Sequence, residues 1–236
     1  LAAGAYVIAD ETTTTYYPDA TETTCVDGMT EHFVTGAAWS TIRDGAGNTA
    51  DNNGTFGGGG QLRSGGTSNT WDYMDRCLYL FDTSSMGSGA TVSSATLSLW
   101  GNSKNSTLAA MSLNITSSNP ASNTSLTGTD YSTCGSVEFS TRIAHASWST
   151  TGYNDFALNS SGRANISPTG ISKFATRNGW DIDNSPPTWS AARTAALSAL
   201  FAEVTGTAND PKLVVTYTAG GGGGGTSGNL LLLGVG

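Results

Sequence analysis

The sequence from Arg76 to Trp100, RCLYLFDTSSMGSGATVSSATLSLW, constrains the fold more than any other part of the chain. It begins with Arg76–Phe81, a short apolar and aromatic run of the kind found in buried strands. The following stretch, Asp82–Gly89, is rich in residues that favour turns. From Thr91 onward, apolar residues alternate with Ser and Thr, which is the period-two pattern of a strand with one buried face. The segment therefore predicts two strands and a tight connection, and with them an all-β protein.

Further strands are predicted along the chain. Composition and alternation mark Ala5–Ala9, Thr14–Tyr17, Phe33–Arg43, Met111–Thr116, Tyr153–Leu158, Trp180–Asp183 and Leu213–Tyr217. The Ala- and Leu-rich residues 191–203 favour helix by propensity, but strands on both sides favour strand, which we predict. A short helical turn is predicted at Ile171–Thr176 and a long irregular segment at Asp44–Gly60. Arg76 and Asp82 are expected to form a structural ion pair or a turn cap.

The composition limits the classes of partner. Only 12% of the 236 residues are charged, whereas about 25% are charged in average soluble proteins. Such a low charged fraction is typical of extracellular or particle-bound β proteins. The net charge of −8 argues against nucleic-acid binding and against docking on anionic lipid, since both require a basic surface. No apolar run reaches the length of roughly 18 residues that a membrane span needs. We therefore expect neither nucleic acid nor a membrane span.

The end of the sequence predicts an anchor. An unbroken glycine run, Gly220–Gly225, lies within the predicted flexible tether 219–228. The residues that follow, 229–236, are almost wholly apolar. As a strand they would place Leu230 and Leu232 on one face, and Leu231, Leu233 and Val235 on the other. Because both faces are apolar, the strand needs cover from its own domain or from a neighbouring subunit to which it adds a strand.

Three cysteines, Cys25, Cys77 and Cys134, are spread through the chain with no C-x-x-C pair, so a structural zinc site is not expected. Cys77 lies in a predicted strand, where it would pack as a small apolar residue. Cys25 and Cys134 lie in polar, loop-like stretches. A disulfide between those two is a possibility that the odd number of cysteines leaves open.

The segment 76–100 resembles the motif of the DNRLRE (disaggregatase-related) β-sandwich family. The similarity rests on an Arg, an apolar run, the F-D-x-S-S turn at Phe81–Ser85 and the strand ATVSSATLSLW. The closing residues, Asn209–Tyr217, also resemble the terminal strand of that family. The resemblance covers about residues 76–218 and implies a jelly-roll-like antiparallel β-sandwich, similar to carbohydrate-binding modules. We therefore predict one such domain over residues 1–218, with N-terminal strands and long loops in 1–70. The family occurs in secreted proteins and in phage structural proteins, and it supplies no catalytic residues.

A sandwich of that kind suggests two sorts of site. A glycan would stack on exposed aromatic side chains, for which Trp71, Tyr73 and Trp189 are the preferred candidates because their surroundings are polar; the alternative is that such residues belong to the core. A structural calcium ion needs six to eight oxygen ligands. Acidic residues that could supply them cluster in one loop (Asp19, Glu22 and Asp27) and in a second (Asp44, Asn48 and Asp51). Neither loop has a complete calcium motif, and capping of the local turn is the alternative.

The expected function is that of a non-enzymatic structural protein on the exterior of a particle, such as a decoration, fibre or tail protein of a phage virion. One alternative is a subunit of an extracellular filament joined by donation of its C-terminal strand. Another is the carbohydrate-binding module of a secreted protein. The chain contains two histidines and no G-x-S-x-G motif, so no hydrolase is indicated. The expected partners are identical subunits, a neighbouring structural protein or a cell-surface glycan. The expected location is extracellular or on the virion surface. No cofactor is expected, and a structural calcium ion is the alternative.

Overall fold

A computed structural model describes residues 10–220. Strands account for 44% of residues 10–220 and helices for 12%, which confirms the all-β prediction. The strands are β1 Glu11–Tyr16, β2 Asp27–Ala37, β3 Thr49–Asp51, β4 Phe56–Ser64, β5 Trp71–Asp82, β6 Thr91–Ser106, β7 Ser112–Ser117, β8 Ile143–Ala144, β9 Tyr153–Ala157, β10 Ile171–Asn178, β11 Thr194–Leu200 and β12 Lys212–Thr218. Three short helices, α1 Trp39–Asp44, α2 Ser160–Ala164 and α3 Gly179–Asp183, and two 3₁₀ turns, Ser84–Met86 and Gly128–Thr133, connect them.

The described strands form one large, curled antiparallel sheet. Its order is β1-β12-β6-β11-β4-β5-β10-β7-β8, and β2, β3 and β9 branch from this path. The long strand β6 pairs with β12 and β9 along its first part and with β11 along its second part. It therefore passes from one layer of the sandwich to the other. At the crossing, a side chain on Gly101 would collide with the backbone carbonyl of Ser149, so only glycine fits there.

Two apolar cores lie on opposite sides of β5. The larger core contains Cys77, Tyr79 and Phe81 from one face of the strand. The smaller core contains Leu78 and Leu80 from the other face, packed with the side chains of Cys25, Val26, Leu126 and Cys134. Since both faces of β5 are covered, its sequence is a continuous apolar run, whereas β6, which has more exposed residues, alternates.

Several local predictions were wrong. Ile171–Thr176, predicted as a helical turn, belongs to strand β10, which pairs with β5 on one side and β7 on the other. Trp180–Asp183, predicted as a strand, lies in helix α3, where the Asn178 side chain accepts a hydrogen bond from the backbone N–H of Asp181 and caps the helix. The glycines of 57–60, predicted as loop, lie in β4, with positive φ at Gly57 and Gly59.

Other predictions agree with the structure. The ambiguous segment 191–203 contains strand β11, as predicted, and residues 33–43 contain the end of β2 followed by α1. The predicted strand at Ala5–Ala9, most of the tether and the apolar residues 229–236, including Leu230, Leu231, Leu232, Leu233 and Val235, lie outside the described residues.

Of the two roles expected for Arg76 and Asp82, a structural ion pair or a turn cap, the structure shows the turn cap. Asp82 caps the following turn by accepting a hydrogen bond from the backbone N–H of Ser84 at 3.0 Å.

Arg76 makes a bidentate ion pair with Asp181 of α3, with both N···O distances at 2.8 Å. Arg177 of β10 binds the same carboxylate at 2.7 and 2.6 Å. Asp181 is 0% exposed. Its burial raises its pKa, but the hydrogen bonds and charges of the two arginines outweigh this and leave the pKa below its usual value.

We predict that Asp181→Asn lowers the free energy of unfolding by about 3–5 kcal/mol, because it leaves two buried guanidinium groups without their counter-ion. The matched control is Asp183→Asn, which removes an exposed carboxylate bound to Arg142 and should cost about 1 kcal/mol or less. Urea unfolding followed by circular dichroism measures both values. Equal losses for the two variants would contradict the central role of the Asp181 ion pairs.

Candidate functional site

An open groove of about 700 Å³ lies on the outer face of the sheet, over β4, β11 and β6. Strand register explains its floor. Ala196 of β11 lies opposite Gln61 of β4 on one side and opposite Asn105 of β6 on the other, so the three form a row across the sheet. Ser198 lies opposite Ser103 in the next row. Small residues at the centre and longer amide side chains beside them produce a shallow channel.

The chemistry of the groove is polar and mostly uncharged. The side chains of Gln61, Asn105, Ser103 and Ser198 supply both hydrogen-bond donors and acceptors. Asp51 is the charged residue of the lining. Such a surface suits a ligand with many neutral hydroxyl groups, since each hydroxyl both donates and accepts.

Phe56 forms an apolar rim on this groove. Its side chain is 67% exposed, the highest value among the large apolar side chains of residues 10–220. An exposed aromatic ring beside a polar channel is the arrangement in which a sugar ring can stack its apolar face. Sequence reasoning missed Phe56 because the glycines that follow it indicated a loop. The available signal was the isolated aromatic residue itself within a polar, glycine-rich stretch.

The aromatic residues predicted from the sequence have separate environments. Trp71 is 2% exposed and packs edge-on against Trp39, with ring centroids 5.2 Å apart. It belongs to the core, so its prediction as a stacking platform is corrected. Trp189 is half-buried in the loop before β11, where its Nε1 donates a hydrogen bond to the Thr70 carbonyl at 3.2 Å. Neither tryptophan lines the groove.

Tyr73 lies beside the groove. Its hydroxyl is 3.2 Å from Oε1 of Gln61, to which it donates a hydrogen bond. Phe33 of β2, half-exposed, stacks on the Tyr73 ring with a centroid distance of 6.3 Å. Tyr73 therefore orients a groove side chain and links the groove to a second exposed aromatic ring.

A pair of acidic residues follows Tyr73 on the same face. Asp75 of β5 lies directly opposite Glu31 of β2. Asp75 is 2% exposed, and its Oδ1 has no hydrogen-bond partner among the described residues. Burial, reinforced by the charge of Glu31, raises the pKa of Asp75 well above its usual value, and burial also raises the pKa of Glu31. The pair is therefore more strongly protonated in the folded chain than in the unfolded chain.

This pair gives a pH prediction. A carboxyl group whose pKa is raised by folding stabilises the protein fully below its unfolded pKa of about 4, and this stabilisation is lost as the pH rises above that value. Asp75→Asn removes the ionisable group, and its amide can donate to Glu31. We expect the variant to melt at least about 2 °C above the parent protein at pH 8, a change of about 1 kcal/mol, with a smaller difference at pH 4. A pH series of melting temperatures tests this, and a difference independent of pH would contradict it.

The disulfide between Cys25 and Cys134 that the sequence left open is not formed in the structure. Cys25, Cys77 and Cys134 are all buried free thiols. Cys25 and Cys134 pack in the same small core, and burial raises the pKa of each thiol, that of Cys134 to about 12. Cys77 packs in the large core, as expected.

The two predicted calcium loops do not form the expected ligand sets. In the first, Asp19 accepts hydrogen bonds from the backbone and hydroxyl groups of Thr21, Thr23 and Thr24. The hydroxyls of Thr23 and Thr21 contribute most to a pKa far below its usual value. Asp19 is thus a turn cap. In the second loop, Asp44 forms an ion pair with Arg43. The Asn48 side chain makes hydrogen bonds with the backbone of Phe33, and Asp51 accepts a hydrogen bond from the backbone N–H of Asn53.

The remaining two predicted ligands, Glu22 and Asp27, lie elsewhere. Glu22 accepts a hydrogen bond from Asn52 Nδ2, and Asp27 accepts one from the backbone N–H of Ala202 at 3.2 Å. Across residues 10–220, no three acidic, histidine or cysteine side chains are already arranged around a common metal position. Within the same residues, none of the helices has the length and apolar character needed to cross a membrane.

No protein-family model matches the sequence, and no curated protein matches it. The resemblance of residues 76–218 to the DNRLRE family therefore stays a prediction.

Proposed function

We propose that this chain is a non-enzymatic β-sandwich that binds an uncharged polysaccharide through the groove over β4, β11 and β6. The observation that carries the proposal is the combination of the exposed Phe56 ring with neutral amide and hydroxyl side chains in one open channel. Ligand sites are concave surfaces in which a few placed polar groups give specificity. The volume of about 700 Å³ is within the range of small-ligand sites, about 300–1,000 Å³.

The charge of the groove favours a neutral ligand. Asp51 adds a negative charge to the lining, and the whole chain carries a net charge of −8. Acidic polysaccharides would therefore be repelled, particularly at low salt. Glycoside hydrolysis generally requires two carboxyl groups on either side of the scissile bond. The groove lining contains one, Asp51, and for this reason we propose binding without catalysis.

We predict that Phe56→Ala weakens glycan binding at least about tenfold, which corresponds to about 1.4 kcal/mol, because the sugar loses its stacking surface. An array of neutral glucans, mannans, galactans and xylans, with acidic pectins and alginates beside them, identifies the ligand. Isothermal titration calorimetry then compares the variants.

Two control variants show whether a loss of glycan binding is specific to the groove or follows the loss of any aromatic or apolar side chain. Val137→Ala removes another exposed apolar side chain that does not line the groove, and Trp71→Phe keeps an aromatic ring in the core. Both should bind as the parent protein does. Failure of the parent protein to bind any neutral glycan would refute the proposal, as would full binding by Phe56→Ala.

A second proposed role is assembly on the exterior of a particle, such as a phage virion, or in an extracellular filament. It is supported by the sequence of 229–236, which is apolar on both faces of a strand. The end of β12, from which the tether leaves, lies beside the start of β1, since Thr218 is opposite Glu11. β1 ends the strand order, and among the described strands it pairs with β12 alone. Its outer edge is therefore a place where a neighbouring subunit could add its C-terminal strand.

We predict that deleting 229–236 abolishes self-association and leaves the melting temperature of the sandwich unchanged. Size-exclusion chromatography with light scattering measures the mass, and calorimetry measures the melting temperature. A control with Gly222→Ser and Gly224→Ser alters the tether but keeps the apolar residues, and it should associate as the full chain does. Assembly of the deletion variant to the same mass would rule out the anchoring role.

A further inference from the structure

A row of side chains leads from the groove across the sheet to a second exposed ring. Thr194 of β11 lines the groove and lies opposite Arg63 of β4. Arg63 lies opposite Tyr73 of β5, and Tyr73 lies opposite Phe33 of β2. Residues directly opposite each other in antiparallel strands share one face of the sheet. We call these four residues the cross-strand row, and it extends the face of the groove by two strands.

Contacts between side chains join the cross-strand row to the groove. The Tyr73 hydroxyl donates a hydrogen bond to Oε1 of Gln61, 3.2 Å away, and Gln61 lines the groove. The Tyr73 ring also stacks on Phe33, with an angle of 13° between the two ring planes. The polar floor of the groove is therefore continuous with an aromatic platform.

The Phe33 platform is fixed through its backbone. The backbone N–H of Phe33 donates to Asn48 Oδ1 at 2.9 Å, and Asn48 Nδ2 donates to the Phe33 carbonyl at 2.8 Å. Phe33 is also paired directly with Tyr73, at the last position of β2 before its register with β5 shifts. Its side chain is nevertheless 50% exposed. A ring on a fixed backbone position that is also exposed loses little conformational freedom when a ligand stacks on it.

Phe33 and Phe56, the exposed phenylalanines of residues 10–220, lie far apart on this face. Phe56 and Arg63 are seven positions apart on β4, which corresponds to roughly 20 Å of strand. Phe33 lies two strands across from Arg63, a further step of about 10 Å. One sugar ring cannot contact both phenylalanines. A chain of several sugar rings can, and it would meet Gln61 and the Tyr73 hydroxyl on the way.

The surface between the two rings favours a polysaccharide over a protein partner. The core of a protein interface is an apolar patch depleted of charged residues. Here the rings are separated by Gln61 and Arg63 of β4 and Glu31 of β2, each of which is partly exposed. Amide, guanidinium and carboxylate groups exchange hydrogen bonds with hydroxyl groups, and each phenylalanine ring can stack on the apolar face of a sugar.

We propose that the glycan site is an extended surface with two stacking positions, Phe56 in the groove and Phe33 at the end of the cross-strand row. The ligand is then a linear, neutral chain of several sugar units rather than a monosaccharide. The extended site rests on the proposed glycan function, to which it adds the length of the ligand. Two joined subsites raise the affinity for a long chain, because the second contact is intramolecular once the first has formed.

The test uses the full chain and neutral glucans, mannans, galactans and xylans, each as the polymer and as its disaccharide. Isothermal titration calorimetry should show that the parent protein binds one of these polymers at least about tenfold more tightly than its disaccharide. Phe33→Ala should weaken polymer binding at least about tenfold, because one stacking surface is lost, and should leave disaccharide binding in the groove unchanged. Overlapping sites along the polymer affect parent and variant equally, so they do not alter this comparison.

A second variant and a matched control define the role of the ring. Phe33→Leu keeps an apolar side chain without the ring, so it should lose polymer affinity as Phe33→Ala does. Tyr17→Leu removes another exposed aromatic ring, outside both the groove and the cross-strand row, and should bind the polymer as the parent protein does. Melting curves show whether each variant is folded.

The possible results separate the extended site from the proposed function. If the parent protein binds none of these glycans, both are overturned. If the parent protein binds a disaccharide and its polymer equally well, or if Phe33→Ala keeps full polymer affinity, only the extended site is overturned. Equal losses of disaccharide and polymer binding in Phe33→Ala would also overturn it, because Phe33 would then act through the shape of the groove.

Discussion

The buried carboxylate of Asp181 holds together parts of the chain that are far apart in sequence. Arg76 of β5 and Arg177 of β10 bind it from adjacent strands, and Arg43 of α1 lies 3.6 Å away. Arg76 also donates hydrogen bonds to the backbone carbonyls of Arg43 and Tyr131, and its guanidinium lies 3.9 Å from the centroid of the Tyr131 ring. The surplus positive charge is thus spread over carbonyl dipoles and an aromatic face. Two helices, two strands and a 3₁₀ turn take their relative positions from this set of contacts.

Strand β5 connects this network to the face of the sheet that bears the groove. Side chains alternate across a strand, so Arg76 points to Asp181 while its neighbours Asp75 and Cys77 point to the opposite side. Further along that side, Tyr73 reaches Gln61 in the groove. The arginines hold β5 against β10, and β5 in turn pairs with β2 and β4. The shape of the proposed glycan groove therefore depends on an ion pair that lies on the other side of the sheet.

Sequence patterns predicted the elements whose stability is local. Alternation identified β6, and a continuous apolar run identified β5, although its burial on two faces became clear only from the structure. Long-range partners were not predictable. Asp181 lies 105 positions from Arg76, and nothing in either local sequence links them. Likewise, glycines indicate a loop unless β-pairing on both sides is known, so β4 was missed, together with the exposed Phe56 at its start. Trp71 is buried because Trp39, on another element, covers it.

The buried acidic residues Asp181 and Asp27 differ in their partners and in the direction in which folding shifts their pKa. At Asp181, two arginines neutralise one carboxylate, and the group is complete without any ligand. At Asp27, burial raises the pKa well above its usual value, and the charges of Glu203 and Asp210 raise it further. Five aspartates are buried within residues 10–220, namely Asp27, Asp75, Asp130, Asp181 and Asp210. Of these, Asp181 is the one that forms salt bridges. Sequence placed Glu22 and Asp27 in a common loop, but it could not show which of the acidic residues would be buried with a cationic partner. Asp181 therefore keeps its charge on burial, because its arginines hold its pKa below the usual value, whereas burial favours the protonated form of Asp27.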